Sequence, residues 1–264
     1  MNDLLLAHTA LMAVKDGHRL PELQRPRAAA LALGVLRQIT ALEWLSARLL
    51  NKPLAKKHAD LDVALLLGLY QIKHMRTPDH ASVQETVNLA RTLKKAWATG
   101  LLNATLRRYL RERDRHDAAL EETDAVHAHP SWLLEQFRSD WPEHAADIAA
   151  ANAEPGPLTV RVNPSHNTRD GYLASLRADG IAAARCADAE MGARIEDATP
   201  AAALPGFADG HCTVQDEASQ LAVPLLGNIA GERILDLCAA PGGKTTHLLE
   251  RGAHVLAVDK DQAR

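Results

Sequence analysis

The sequence predicts a multi-domain chain. An all-α helical bundle over residues 1–125 is followed by a helical connector over 126–153, an α+β segment over 154–212, and the first βαβ unit of a doubly wound domain over 213–264. Three observations carry this prediction. The length of 264 residues exceeds the roughly 100 to 200 of one usual domain. The apolar spacing is helical up to about residue 124, and beyond the breaker Ala-Glu-Pro-Gly-Pro at 153–157 short strand and helix patterns alternate. The composition is rich in alanine and only 3% aromatic, which favours helices over a β-sandwich.

Taken in order, residues 61–75 (LDVALLLGLYQIKHM) are apolar on most sides, as the central helix of a bundle must be. In 76–96 (RTPDHASVQETVNLARTLKKA) a Pro-containing loop precedes a helix, with Ser82 and Glu85 spaced as a capping box and Val83, Val87, Ala90 and Trp97 at apolar positions. In 100–115 (GLLNATLRRYLRERDR), Leu102, Leu106, Tyr109 and Leu110 share one helical face. Arg107, Arg108 and Arg111 project from the other, as either a solvated face or a phosphate-contacting ridge. Residues 126–144 hold a short amphipathic helix between two prolines. Then LTVRVNP (158–164) reads as a strand, 168–180 as a helix ended by Gly180, 191–197 as a weak strand, and 207–228 as a turn, a strand through Val214 and a helix from about Asp216. The last unit is strand 233–237, a glycine loop, helix 244–250 closed by Gly252, and strand 254–259.

Charge divides along the chain. Residues 1–130 hold 19 Lys and Arg against 14 Asp and Glu, a net +5, while the remainder holds 11 against 19, a net −8. An anionic partner is therefore expected at the front half. The three cysteines form no CxxC pair and no Cys/His cluster at metal spacing, so no disulfide framework and no metal site is expected. No apolar run approaches the roughly 18 residues of a membrane span, and a cytoplasmic protein without a membrane partner is expected.

The chemistry concentrates in residues 234–250, ILDLCAAPGGKTTHLLE. A phosphate-binding loop of the form G-x-x-x-x-G-K-[ST] requires glycine at 238, where this chain has cysteine, and the dinucleotide fingerprint G-x-G-x-x-G is absent. What remains is a small-residue loop at the carboxyl end of one strand and an acid, Asp259, at the end of the next. That pair suits an adenosyl ligand without a diphosphate.

These residues carry a resemblance. The string CAAPGGKT followed by VLAVDKD is similar to the methyl-donor motif of the RNA cytosine-C5 methyltransferases, which use S-adenosylmethionine. TVQDEASQLAVPLL, HPSWLLEQF and LTVRVNP resemble the segments that precede it, while DHASVQETVNLAR and LLNATLRRYL resemble the helical domain shared with the antitermination factor NusB. Nearly the whole chain resembles the bacterial 16S rRNA cytosine-C5 methyltransferases of the Sun/RsmB type. The resemblance implies a NusB-like bundle, an RNA-binding segment and a Rossmann-like methyltransferase domain. It implies a donor loop of Cys238, Ala239, Ala240, Pro241, Gly242, Gly243 and Lys244 with Asp259 on the ribose, and 16S rRNA as the partner of a monomeric enzyme.

In that family a cysteine adds to cytosine C6 so that C5 can take the methyl group, and two cysteines serve, in Pro-Cys and Thr-Cys motifs. Cys186 follows Arg185 and Cys212 follows His211, and Cys238 is expected as a small packing residue, so no catalytic residue is assigned. The chain is expected to be C-terminally truncated and inactive alone, with its two final strands too few for a stable sheet. A non-enzymatic RNA-binding or antitermination-like module is the alternative.

Overall fold

A computed structural model describes residues 2–197 and 199–260; the last four residues of the 213–264 segment lie outside it. The chain forms two compact units, Met1–Pro155 and Gly156–Arg264.

In the first unit α4 (Ala59–His74) is the central helix. It is packed by α1 (Asp3–Lys15), α2 (Pro26–Arg37), α3 (Ile39–Leu49), α5 (Asp79–Thr92) and α6 (Thr99–Arg111). Its all-round apolar sequence is consumed by these contacts, with Leu61, Leu65, Leu67 and Leu69 fully buried. Gly68 sets how closely α5 and α6 approach, since a Cβ there would stand 2.7 Å from Thr86 Oγ1 and 2.9 Å from Leu106 Cδ1. Leu102, Leu106 and Tyr109 of α6 are buried and Leu110 is half-buried against the same core. The Tyr109 hydroxyl donates to Asp117 (2.9 Å) on α7 (Arg113–Glu121), and Lys73 of α4 reaches the same carboxylate (2.8 Å). The connector comprises α8 (Ser131–Asp140) and α9 (Ala145–Ala153), and it belongs to this unit.

Two local expectations fail here. The capping box does not form, because α5 begins at Asp79 with Pro78 as its N-cap and Ser82 is already inside the helix. The Ser82 hydroxyl turns back to the Pro78 carbonyl (3.4 Å), and Glu85 is taken by Arg27 of α2 (2.8 Å). Trp97 does not continue the apolar face of α5: the helix ends at Thr92, and Trp97 sits in a separate 3-10 turn, exposed. The backbone reverses through Lys94 at φ +59°, which releases the downstream residues from the helical period.

In the second unit β1 (Leu158–Val162), β2 (Ala183–Arg185), β3 (Gly192–Ile195) and β4 (Cys212–Val214) form an antiparallel sheet of order β2-β3-β1-β4. Leu158 lies opposite Ile195, and Val162 opposite Cys212. Because β4 pairs with β1, the boundary expected between residues 212 and 213 falls inside a strand of this sheet. The three-residue β2, Ala-Ala-Arg, has no strand signature of its own and forms because β3 supplies a pairing edge. Val160 and Val162 face a core with Tyr172 and Leu176 of α10 (Arg169–Ala178), while Arg161 points to the opposite face.

Next come α11 (Glu217–Leu221), then β5 (Arg233–Leu237), α12 (Gly243–Glu250) and β6 (His254–Val258). β5 and β6 are parallel and in register from Arg233 opposite His254 to Leu237 opposite Val258. Ile234 and Val255 pack on Leu248 of α12, with Val223, Ile229 and Ala253. The other face presents Leu235, Leu237, Leu256 and Val258, all exposed among the described residues.

Candidate functional site

The loop from β5 into α12 is shaped by backbone conformations that its residues permit. Gly242, at φ +98°, is the N-cap of α12, and no side chain caps that helix start. A Cβ on Gly242 would meet nothing within 4 Å, so glycine is required there by conformation and the space beside it is open. Cys238 is also left-handed, at φ +65°, and among the described residues it is exposed rather than packed as expected. A non-glycine residue in this region stores roughly 1 to 3 kcal/mol of strain, of the kind that collects at functional loops.

Of the other loop residues, Ala239, Ala240 and Gly243 are half-buried, while Pro241 and Lys244 are exposed. Asp259, directly after β6, accepts the Ala240 amide on Oδ2 (2.9 Å), and the Ala239 amide donates to the Val258 carbonyl (3.1 Å). The structure therefore brings together all the expected donor-loop residues at the carboxyl ends of two adjacent parallel strands, the place where doubly wound sheets bind ligands. Thr245 Oγ1 donates to Asp236 Oδ2 (2.5 Å), tying the first turn of α12 back to β5. Asp236 was not singled out by the sequence, and Thr245 only as the last residue of the incomplete phosphate-loop pattern.

Arg161 was also missed. It is only 1% exposed, on β1, and its guanidinium spans to α12. It donates to both carboxylate oxygens of Glu250 (2.9 and 2.8 Å), to the Gly243 carbonyl (2.9 Å), to Thr246 Oγ1 (3.0 Å) and to Gln215 Oε1. Five bonds to a buried guanidinium satisfy all its donor directions, which is the condition for burying such a charge. The antiparallel sheet is thereby clamped to the helix whose first residue, Gly243, belongs to the loop after β5.

His247, on the same face of α12, is buried with Nδ1 unpartnered. Burial first, and then the charges of Arg161 and Arg251, lower its pKa from 6.5 to about 4. A folded-state pKa below the unfolded one means that the unfolded chain takes up the proton first as pH falls. Stability from this group is thus full above about pH 6.5 and is lost progressively down to about pH 4. The expected loss is about 1 to 3 kcal/mol across that window. Amide exchange of α12 at pH 7 and pH 5 should show the loss in the parent and much less of it in His247→Gln; equal losses in both would assign the effect to other groups.

The remaining cysteines carry no nucleophilic signature. Burial pushes Cys186 up to about 11 and Cys212 also upward, and the Cys212 thiol lies 3.0 Å from the Tyr172 hydroxyl. Both are thiols at neutral pH. Among the described residues no group of three His, Cys, Asp or Glu could hold a metal ion.

The three arginines expected on one ridge of α6 separate into different roles. Arg108 is half-buried and donates to the Leu49 carbonyl at the end of α3 (3.2 Å), so it fastens the bundle. Arg107 is held by Asn103 (3.0 Å), and Arg111 is exposed without an ion pair among the described residues. Arg107→Gln with Arg111→Gln should lower the log-log salt slope of RNA binding by about 1.4 to 1.8, at roughly 0.7 to 0.9 per phosphate contact, and Arg108→Gln should act on bundle stability instead. Equal slopes for the double variant and the parent would leave these arginines as a solvated face.

With this geometry in hand, the comparisons with known proteins fall into place along the chain. Residues 4–111 match the model of the NusB family, residues 129–202 that of the ferredoxin-like domain of RsmF/B-like methyltransferases, and residues 223–264 that of the 16S rRNA methyltransferase RsmB/F family. Curated relatives include the ribosomal RNA small subunit methyltransferases B of Vibrio cholerae, 44% identical over 279 residues, and Pseudomonas putida, 42% identical over 280 residues. In both cases the whole of this chain is aligned with 64% of the relative's length. An Escherichia coli relative of the same name is 42% identical over 89% of this chain and 55% of its own. Among solved structures, that of PH0851 has a similar fold, with a TM-score of 0.72 at 18% identity, over all of this chain and 65% of that one. The chain spans a little under two thirds of the length of its first curated relatives, and along that length it is similar throughout to ribosomal RNA small subunit methyltransferases B, with residues 223–264 matching the RsmB/F model.

Proposed function

We propose that this chain supplies the RNA-binding part and the donor loop of an enzyme that methylates cytosine C5 in 16S rRNA with S-adenosylmethionine, acting in the cytoplasm as a monomer. One observation carries the reading. Asp259, after β6, is joined by its carboxylate to the amide of Ala240 in the loop after β5, so that an acid and a glycine loop meet at the ends of parallel strands.

The residues fit the donor. Beside Gly242 the space is open, the start of α12 has no side-chain cap, and small residues at 239 and 240 let the backbone approach a ligand. In this reading Cys238 to Lys244 hold the donor mostly by backbone and Asp259 accepts hydrogen bonds from its ribose hydroxyls. The donor supplies the methyl group. Arg161 holds the start of α12, and with it the donor loop, against the antiparallel sheet. The net positive charge of residues 1–130 draws the RNA.

Attack on cytosine C6 needs a thiolate, since C5 becomes nucleophilic only once that bond has formed; a base then removes the C5 proton and the thiolate departs. Cys186 and Cys212 are buried thiols with raised pKa values, and Cys238 lies in the donor loop itself. None of the three is assigned this step. The 264-residue chain alone is therefore expected to transfer no tritium from labelled S-adenosylmethionine to undermethylated 16S rRNA, while a protein of the relatives' full length does. Stoichiometric transfer by the chain, abolished by Cys238→Ala, would make Cys238 the nucleophile.

Calorimetric titration of a protein of the relatives' full length with S-adenosylmethionine and with ATP tests the reading directly. Binding of the first alone supports it, and binding of ATP alone would favour a phosphate loop. Binding of neither would favour an RNA-binding module without enzymatic activity, the reading that the NusB family match on its own would carry.

A further inference from the structure

We propose that Trp97 and the basic turns around it form a stacking platform for single-stranded RNA, separate from the arginines of α6 on which the electrostatic reading first rests. It depends on the reading of the chain as one that acts on RNA. Two turns distant in sequence meet here: the 3-10 turn Lys56–His58 before α4 and the reversal through Lys94 and Lys95 into the 3-10 turn Ala96–Ala98. The Trp97 ring stands against His58, with centroids 5.0 Å apart and planes at 60°, and Lys95 reaches His58 Nδ1 (3.3 Å) and Asp60.

Trp97 is 60% exposed although its ring position is set by a neighbour. A large apolar ring held in place and left open to water has no role in the bundle core, whereas every nucleobase offers a face to stack on it. The charge around it fits the same ligand. Asp60, the acid in contact with the platform, is already paired with Lys95, while Lys56, Lys57 and Lys94 are exposed and have no ion pair among the described residues.

Lys94 adds an independent sign. It holds φ +59° at the end of α5, where glycine is the usual residue, so a basic side chain is kept at a position where it strains the backbone. A strand whose base rests on Trp97 can therefore lay its backbone beside Lys56, Lys57 and Lys94.

The test is fluorescence-anisotropy titration of the 264-residue chain with a fluorescein-labelled oligouridine, and with an RNA duplex as a second probe. Trp97→Ala should weaken oligouridine binding by about fivefold to a hundredfold, leave the salt slope unchanged and scarcely alter duplex binding, while Trp97→Phe keeps most of the affinity. Lys56→Gln with Lys57→Gln should instead flatten the salt slope by about 1.4, at roughly 0.7 per single-strand contact. Lys94→Gly should raise the thermal midpoint and yet weaken oligouridine binding. Unchanged affinity in Trp97→Ala, equal loss for duplex and single strand, or displacement of the RNA by a polyglutamate peptide that binds as tightly, would overturn the proposal, the last in favour of an acidic protein partner. Neither donor nor methyl transfer enters the titration, so the platform and the methyltransferase reading can fail separately.

Discussion

Arg161→Met is expected to destabilise the second unit by about 3 to 5 kcal/mol, the cost of leaving one member of a buried ion pair without its partner. The substituted side chain retains apolar volume but donates nothing, so the Glu250 carboxylate, 11% exposed, and the Gly243 carbonyl both lose their charged donor. Glu250→Gln should cost less, since its amide oxygen still accepts from the guanidinium. Combining Arg161→Met with Glu250→Leu should recover much of the loss, because an apolar pair of similar volume carries no stranded charge. All four tryptophans, Trp44, Trp97, Trp132 and Trp141, lie in the first unit, so intrinsic tryptophan fluorescence does not report this event. The measurement is amide-exchange protection of β1 and α12. Unchanged protection in Arg161→Met, or strictly additive losses in the double variant, would reject the clamp.

Asp259→Ala should weaken binding of S-adenosylmethionine to a protein of the relatives' full length by about 1.5 to 3 kcal/mol, or roughly tenfold to a hundredfold. Two effects are combined in that number. The carboxylate is proposed to accept from the donor's ribose, and it also accepts the Ala240 amide, which holds the loop against β6. Asp259→Asn separates them, because an amide oxygen can keep the Ala240 bond while offering one acceptor fewer. If Asn restored full affinity the carboxylate would be a loop fastener only. An unchanged dissociation constant in Asp259→Ala would remove Asp259 from the site altogether.

The features legible in the sequence are those that neighbouring residues decide between themselves. The turn at Gly242 requires a residue without Cβ, the parallel strands on either side are short apolar runs, and the burial of Leu102, Leu106 and Tyr109 follows from helical spacing alone. The order of bundle, α+β segment and βαβ unit could therefore be read from residue order, and so could the loop that faces Asp259, whereas the antiparallel pairing of the middle segment could not. Even locally the reading had a limit at α5, where Ser82 and Glu85 have capping-box spacing but Pro78 starts the helix one turn earlier.

Contacts across long stretches of chain follow only from how the whole unit packs. Arg161 meets Glu250 89 residues further on, and alternation along LTVRV says only that Arg161 and Val160 face opposite ways, not that α12 covers the arginine. Trp97 has the spacing of a core residue of α5 and becomes an exposed ring because Lys94 reverses the backbone before it and His58, 39 residues earlier, arrives beside it. Arg107, Arg108 and Arg111 are alike in sequence, and the end of α3 alone turns Arg108 inward. A local motif is set by torsions that a residue and its neighbours allow, whereas the partner of a buried charge is set by which faces close on one another when the whole unit packs.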